Sequence, residues 1–185
     1  MNLVELIHRE NKALGPFKLS GGQIHLDSQT TAQYLAEEIA NHCSSWALPL
    51  EVVCAFLRGE GDFDPWAINP NFEIAPLQAD GSRKWPDVET QARNTDYGLC
   101  QINGNDSFFG IQAVPASLDY LCKQIVENIM QVTVVAGYPV EVAYEAYNKG
   151  RHGAIELFTK GGISACDYGR LIKQRVEEYR KLPLT

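Results

Sequence analysis

Glu60 is the residue whose setting best suits acid chemistry. It ends an apolar segment, in the sequence AFLRGEGDFDPWA. If that segment is a helix, the carboxyl group faces the negative end of the helix dipole, and burial against Phe63 or Trp66 disfavours its ionised form. Both effects raise the pKa of Glu60, which suits a general acid at neutral pH. We also expect Gly59 and Gly61 to let the backbone turn sharply beside a ligand.

Two other interpretations of this segment stay open. The letters GEGD alone also fit a solvated acidic loop. A calcium loop is a third hypothesis, because Asp62, Asp64 and Glu73 have the spacing of its ligands. Trp66 and Ala67, however, occupy positions that need a ligand and a glycine, so we expect no metal site.

A second polar segment, NTDYGLCQIN, carries Asp96, Gln101 and Asn103. Alternation along a short strand would place Gln101 and Asn103 on one face. Carboxamides both donate and accept hydrogen bonds, so such a face suits the N-acetyl and hydroxyl groups of a sugar. By itself the segment equally fits a turn closed by local hydrogen bonds from its Asn and Asp side chains.

A third segment, YEAYNKG, lies at the end of a predicted helix. Tyr144 and Tyr147 are three residues apart and share a face, while Asn148 and Gly150 form the C-terminal turn. Without the other two segments, this one would be interpreted only as a helix cap.

In this order, the three segments resemble motifs of the lysozyme superfamily, most closely those of goose-type lysozymes and soluble lytic transglycosylases. Those proteins carry a helix-ending Glu in an E-S-x-F-x-P context, a G-L-M-Q strand and an A-Y-N-x-G turn. Here Gly61 replaces the Ser and Cys100 replaces the Met. The segment around Asp96 separately resembles the strand of c-type lysozymes that presents their second carboxylate, although their disulfide framework is absent.

The resemblance implies cleavage of the β-1,4 bond between N-acetylmuramic acid and N-acetylglucosamine in peptidoglycan, with Glu60 as the acid. If Glu60 is the only carboxyl group at the bond, the muramyl 6-hydroxyl attacks and a 1,6-anhydro product forms. If Asp96 is close by, the reaction can be hydrolytic. Asp80 and Asp87, in the loop before the strand, are further candidates for positioning a water molecule.

We expect the remaining site residues to bind the glycan. The expected reaction needs no metal and no cofactor. Tyr147 is a candidate for orienting Glu60, and Trp66 and Trp85 join Phe63 as rings that could stack on sugar faces. The predicted saccharide-binding residues are Gln101, Asn103, Tyr147, Asn148 and Phe63.

The elements that must position these residues are mostly helices, with irregular structure and one or two short strands between about residues 60 and 113. We expect an α+β, mainly helical, lysozyme-like fold, in which a helical lobe and a small loop/β lobe flank a cleft. The chain is interpreted as one domain, 1–185. It divides into N-terminal helices (1–45), a catalytic core (46–150) and closing C-terminal helices (151–185).

The composition of the chain excludes several classes of protein. A net charge of -7 argues against a nucleic-acid binder, and no apolar run is long enough to span a membrane. The first residues do not form a secretory signal, and the five cysteines fit buried thiols better than a disulfide scaffold. We therefore expect a protein made in the cytoplasm that acts on the bacterial cell wall, as a phage lysin or a virion-associated muramidase.

The expected partners are peptidoglycan glycan strands, with virion or delivery proteins as further candidates. Two alternatives stay open at this point. One is a non-catalytic lysozyme-like module for wall binding or virion structure, and the other is a chitinase-like helical glycosidase with a different substrate.

Overall fold

The computed structural model describes residues 1–12, 14, 17–18 and 25–184. It is mainly helical and contains a small antiparallel sheet, which confirms the α+β, mainly helical class. The sequence also predicts that Gly15-Pro16 ends the first helix and that a Gly-rich loop follows at 18–29. Gly15-Pro16 and residues 19–24 of that loop lie outside the described residues. The α-helices in the described part of the chain are α1 (Leu3–Glu10), α2 (Ser28–Ser45), α3 (Leu50–Glu60), α4 (Val88–Arg93), α5 (Val114–Asn128), α6 (Val140–Gly161) and α7 (Asp167–Arg180).

Helix α3 is central because it is apolar on nearly every side. Pro49 occupies its N-cap, where a fixed φ and a missing N–H cost nothing. Every residue from Val52 to Leu57 is buried, and α7 packs along one side of the helix. The helix therefore holds its last residue, Glu60, in a fixed position.

Helix α2 begins earlier than the sequence suggested. Its N-cap is Asp27, whose side chain accepts a hydrogen bond from the Thr30 backbone N–H at 2.7 Å. The pattern of Thr30 and Gln33 had indicated a capping box starting at Thr30. Asp27 takes that role because its carboxylate reaches the same unpaired N–H groups of the first turn.

Pro115 predicts the start of a helix, and α5 does begin there, at Val114. Its hydrogen-bonding pattern changes after Asn128. Residues Ile129–Val135 continue it as a π-helix, and the segment ends at Gly137 with a φ of 76°. The β-branched run VTVV falls in this stretch, where a regular α-helix is less favourable.

Helix α6 continues beyond the stop that the sequence indicated. Gly150 has a φ of 67° and a ψ of 161°, which breaks the regular backbone, but the chain resumes a helix and ends at Gly161. The second half is kept because Ala154 packs with Val132 and Cys166 in a small hydrophobic cluster separate from the main core. Gly150 therefore kinks the helix and does not end it.

The β lobe contains a three-stranded antiparallel sheet with two residues in each strand. In this sheet β4 lies in the middle, pairing with β3 on one side and β5 on the other. The register places Asn69, Asp96 and Asn103 directly opposite one another across the sheet. The strands are β1 (Phe17–Lys18) and β2 (His25–Leu26), which pair with each other, and β3 (Ile68–Asn69), β4 (Asp96–Tyr97) and β5 (Ile102–Asn103).

The five cysteines are all free and buried, as the sequence suggested. Burial raises the pKa of the Cys43 thiol to about 12, so it stays uncharged at neutral pH. No helix within the described residues combines the length and the apolar character that crossing a membrane requires.

Candidate active site

A cleft of about 420 Å³ separates the end of α3 and the helix α7 from the three-stranded sheet. It contains residues from all three segments that the sequence analysis singled out. Its walls are mostly polar, with carboxamides on the sheet side and tyrosines on the helical side. The lining residues are Gly59, Glu60, Asn69, Asp96, Gln101, Ile102, Asn103, Tyr120, Tyr147, Asn148 and Tyr168.

Glu60 is partly buried at the helical wall of this cleft. The Tyr168 hydroxyl donates a hydrogen bond to its Oε1 atom. The pKa of Glu60 is raised to about 7, mainly by burial, and the negative charge of Asp96 contributes to this rise. The hydrogen bond from Tyr168 and the positive charge of Arg175 act in the opposite direction. At neutral pH this carboxyl group is therefore poised between its protonated and ionised forms.

The glycines beside Glu60 do not have the predicted role. Gly61 has an ordinary φ of -137°, and the sharp turn is made instead by Asp62 and Phe63, with φ values of 53° and 62°. Gly59 is helical and allows α7 to approach α3, because a Cβ atom there would lie 3.1 Å from Arg175 Nη1.

Tyr168 reaches Glu60 because the first turn of α7 is fixed against α6. The buried carboxylate of Glu145 accepts a hydrogen bond from the Gly169 backbone N–H at 2.8 Å. Gly169 has no side chain, and a Cβ atom there would lie 1.9 Å from the Glu141 carbonyl oxygen. This close packing brings Tyr168 to the cleft from outside the predicted catalytic core of 46–150.

Asp96 lies on the opposite wall and is held by two carboxamides. Its Oδ1 atom accepts a hydrogen bond from Asn103 Nδ2, and its Oδ2 atom accepts one from Asn71 Nδ2, both at 2.8 Å. Asn71 also donates to the Asn94 carbonyl oxygen at 2.7 Å, which anchors it to the chain just before β4. These hydrogen bonds fix the orientation of the Asp96 carboxylate.

Gln101 lines the cleft from a turn and not from a strand. Its φ is 47°, and its amide donates to the Gly98 carbonyl oxygen at 2.9 Å. Gly98 is required there, since its φ is 73° and a Cβ atom would lie 1.9 Å from the Phe108 carbonyl oxygen. The predicted strand alternation of Gln101 with Asn103 is therefore wrong, although both residues still border the cleft.

Tyr147 does not orient Glu60, contrary to the prediction. Its hydroxyl donates to the Cys100 carbonyl oxygen at 3.0 Å, and its ring packs edge-on against Phe56. Tyr147 therefore supports the turn that carries Gln101, while Asn148, the next residue, is exposed and borders the cleft directly.

None of the three rings that were predicted to stack on a sugar lines the cleft. Phe63 is completely buried in the main core, so its ring has no face to offer a sugar. Trp85 is also buried, and its indole N–H donates to the Pro70 carbonyl oxygen at 2.8 Å. Neither Trp66 nor Trp85 lines the cleft, whereas Tyr120 does, with 39% of its surface exposed.

Asp80 and Asp87 are not part of the cleft. Asp80 accepts hydrogen bonds from Ser82 in an exposed turn, and Asp87 caps the N-terminus of α4 through the Thr90 N–H at 2.7 Å. These bonds lower the pKa of both carboxyl groups. Asp96 is therefore the second carboxylate of this site.

The sequence analysis missed Tyr168, Tyr120, Asn69 and Asn71. Tyr168 lies in the segment that was interpreted only as closing C-terminal helices, and Asn69 and Asn71 flank Pro70 in the segment that was interpreted as irregular. Within the described residues, no group of three or more His, Cys, Asp or Glu side chains is arranged to hold a metal ion.

No protein-family model matches this chain, and neither a curated protein nor a solved structure matches it significantly. Membership of the lysozyme superfamily therefore stays a prediction from the three sequence segments.

Proposed function

We propose that this protein is a glycosidase that hydrolyses the β-1,4 bond between N-acetylmuramic acid and N-acetylglucosamine in peptidoglycan. One observation carries the proposal: the carboxyl group of Glu60, with a pKa raised to about 7, shares a polar cleft with the carboxylate of Asp96. Most enzymes that hydrolyse a glycosidic bond use two carboxyl groups, one of them an acid with a raised pKa.

Glu60 is the general acid of the proposed reaction. Its protonated form transfers the proton to the glycosidic oxygen while the sugar ring develops oxocarbenium character. A pKa near the working pH allows the group to be protonated before this step and ionised after it. The hydrogen bond from the Tyr168 hydroxyl fixes the carboxyl orientation and stabilises the carboxylate that remains.

Asp96 supplies the second carboxylate and favours hydrolysis over the 1,6-anhydro route. Held by Asn71 and Asn103, it can stabilise the positive charge that develops on the sugar ring, or it can attack the anomeric carbon or activate water. Retaining and inverting enzymes differ in the separation of the two carboxyl groups, at about 5–5.5 Å and 6.5–9.5 Å. Product stereochemistry therefore distinguishes attack by Asp96 on the anomeric carbon, which retains the configuration, from activation of water by Asp96, which inverts it.

The sheet wall and its turn are suited to sugar substituents. Asn69, Asp96 and Asn103 form one row across the three strands, and Gln101 and Asn148 extend the carboxamide surface. Tyr120 is the exposed aromatic residue of the cleft and is suited to stack on a sugar ring. These residues replace Phe63 as the proposed stacking and binding surface.

The test is mass spectrometry of purified peptidoglycan digested by the wild type, Glu60→Gln and Asp96→Asn. Hydrolysis gives fragments with a reducing-end muramic acid, and the anhydro route gives fragments lighter by one water. We expect the hydrolytic fragments from the wild type and a loss of about 10³-fold or more in Glu60→Gln. Asp80→Asn, outside the cleft, is the matched control and should retain wild-type activity.

Three results would reject parts of the proposal. Equal cleavage by wild type and Glu60→Gln would remove Glu60 from its role, and no cleavage by the wild type would favour the non-catalytic wall-binding module. Anhydro fragments from both the wild type and Asp96→Asn would show that Asp96 is not needed. Chitin oligomers, digested in parallel, test the chitinase-like alternative.

The charge of the chain bears on delivery. Peptidoglycan is anionic, and a net charge of -7 gives a freely diffusing enzyme no electrostatic attraction to it. A phage-encoded lysin or a virion-mounted muramidase that partners bring to the wall depends less on such attraction, and this is the setting we favour.

A further inference from the structure

Arg175 places a cation directly behind the helical wall of the cleft. It lies two turns after Tyr168 on α7, so both side chains project from the same face of that helix. Its Nη1 atom is fully enclosed and has no hydrogen-bond partner among the residues that the structure describes. A buried N–H of a charged group is costly to leave unpaired, so this guanidinium can gain by interacting with a negative charge that develops nearby.

Gly59 provides the space that this guanidinium occupies. A Cβ atom on Gly59 would lie 3.1 Å from Arg175 Nη1, 3.0 Å from Ile172 Cδ1 and 3.6 Å from the Tyr168 hydroxyl oxygen. The guanidinium and the hydroxyl that contacts Glu60 therefore converge on the residue that precedes Glu60. Any side chain at position 59 would push the guanidinium away.

Several charged or titratable groups act on Glu60 from the surrounding elements. Asp96 adds negative charge from the sheet, and Arg175 adds the positive charge that opposes it. Glu145 acts on this site through Tyr168, which it faces from α6. The groups that interact electrostatically with Glu60 are Asp96 from β4, Cys100 from the turn, Tyr147 from α6, and Tyr168 and Arg175 from α7.

We propose that Arg175 is a positioning residue for Glu60 and Tyr168, and that it pairs with the negative charge that Glu60 acquires on proton transfer. The inference rests on the glycosidase function proposed above. It assigns a use to a buried cation that touches neither the glycan nor the reacting atoms.

The proton and the bonding electrons balance as follows. The O–H bond of Glu60 breaks as its proton moves to the glycosidic oxygen, and the electrons of the C1–O bond leave with that oxygen. The positive charge of the Arg175 guanidinium then stabilises the negative charge that Glu60 has acquired. When water attacks C1, its proton returns to Glu60 in the retaining route. In the inverting route Asp96 takes that proton and Glu60 regains one from solvent, and in both routes Arg175 stays protonated.

The test compares Arg175→Met, Arg175→Lys and the control Arg170→Met. Arg170 lies on the same helix, is exposed and pairs with Asp167, so its change removes the same charge away from the cleft. Two readouts are needed: the ¹³C NMR titration of the Glu60 carboxyl group in the free protein, assigned with Glu60→Gln, and the pH dependence of kcat on peptidoglycan.

Removal of the cation disfavours ionised Glu60, so its titration should move to higher pH. In Arg175→Met we expect an upward shift of about 1 pH unit, the low end of what a nearby opposite charge contributes. The alkaline limb of the kcat profile should move with it. The maximal kcat should fall about tenfold with little change in KM, because the carboxylate left in the transition state loses its partner. Arg175→Lys should restore the wild-type titration, and Arg170→Met should match the wild type in both readouts.

An unchanged Glu60 titration in folded Arg175→Met would overturn the inference. Gly59→Ala is a second route if that variant does not fold, because the methyl group displaces the guanidinium without removing its charge. It should move the Glu60 titration upward by less than Arg175→Met does, and no movement there would overturn the inference as well. If the wild type cleaves no peptidoglycan, the glycosidase proposal fails, while the NMR titration still decides whether Arg175 acts on Glu60.

Discussion

The two walls of the cleft hold their carboxyl groups in opposite ways. On the helical wall, Glu60 is held by the packing of α3 against α7, and burial raises its pKa to about 7. On the sheet wall, Asp96 receives hydrogen bonds from two carboxamides in a more open setting. The comparison teaches that one cleft can hold one carboxyl group by helix packing and burial and the other by side-chain hydrogen bonds.

A single substitution in the sheet wall should cause the largest loss of stability. Gly98→Ala combines a positive φ with a Cβ atom 1.9 Å from a backbone oxygen, so we expect a loss of about 3–4 kcal/mol in the free energy of unfolding. Gly81→Ala is the matched control, because Gly81 also has a positive φ but nothing near its Cβ position. Urea denaturation should show a loss of only about 1–2 kcal/mol there. Equal losses in both variants would contradict the steric argument.

Ionisation of Glu60 on the helical wall should lower the free energy of unfolding. The pKa of this group is about 7 in the folded protein and 4.5 ordinarily, so the folded state binds the proton more tightly. The resulting stability is fully present below about pH 4.5 and is lost as the pH rises through about 7.

Glu60→Gln removes this pH dependence, because an amide does not ionise. Relative to the wild type, the variant should gain about 3 kcal/mol in the free energy of unfolding between pH 4 and pH 8.5. Urea denaturation at both pH values measures the gain, with the exposed Glu73→Gln as control. A constant difference between Glu60→Gln and wild type across this range would argue against a raised pKa.

The carboxamides around Asp96 should matter more for activity than for stability. Asn71→Gly removes the donor to Asp96 Oδ2 and relieves the left-handed φ of 50° at that residue. We expect a loss of about 1–2 kcal/mol in the free energy of unfolding and about tenfold in kcat. Asn105→Gly removes a turn-capping amide that does not line the cleft, so it should lower stability without lowering kcat.

Removal of one tyrosine hydroxyl at a time should have the smallest effects on stability and activity. Tyr168→Phe removes a hydrogen bond that favours ionised Glu60, so the pKa of Glu60 should rise and the alkaline limb of the pH–rate profile should move upward. Tyr147→Phe removes only the bond to the Cys100 carbonyl oxygen, at a cost of about 1 kcal/mol of stability. Its pH–rate profile should stay that of the wild type, and a shift there would contradict the division of roles.

Local signals were enough to predict much of the helical part. Pro49 and Pro115 marked helix starts correctly, because the effect of proline on backbone geometry depends on neighbouring residues alone. The stop expected at Gly150 was wrong. A glycine can bend a helix or end it, and here packing of the following segment decided between the two.

The candidate site was predicted only where its residues form recognisable segments. Glu60, Asp96 and Asn148 line one cleft as expected. Tyr168 and Asn71 escaped because they meet their partners across 108 and 25 residues of sequence, in contacts that no local spacing encodes. Phe63 was misassigned because a ring close to Glu60 in sequence can face either the core or the cleft. The sequence does not distinguish these two orientations.

Each strand of the central sheet contributes two residues, so few backbone hydrogen bonds hold that wall together. Hydrogen bonds from the side-chain amides of Asn71 and Asn103 to Asp96 supplement the few backbone hydrogen bonds of this sheet. Such a wall opens in local fluctuations well before the helices separate. Heat should therefore abolish turnover at temperatures where circular dichroism still reports an intact helical protein.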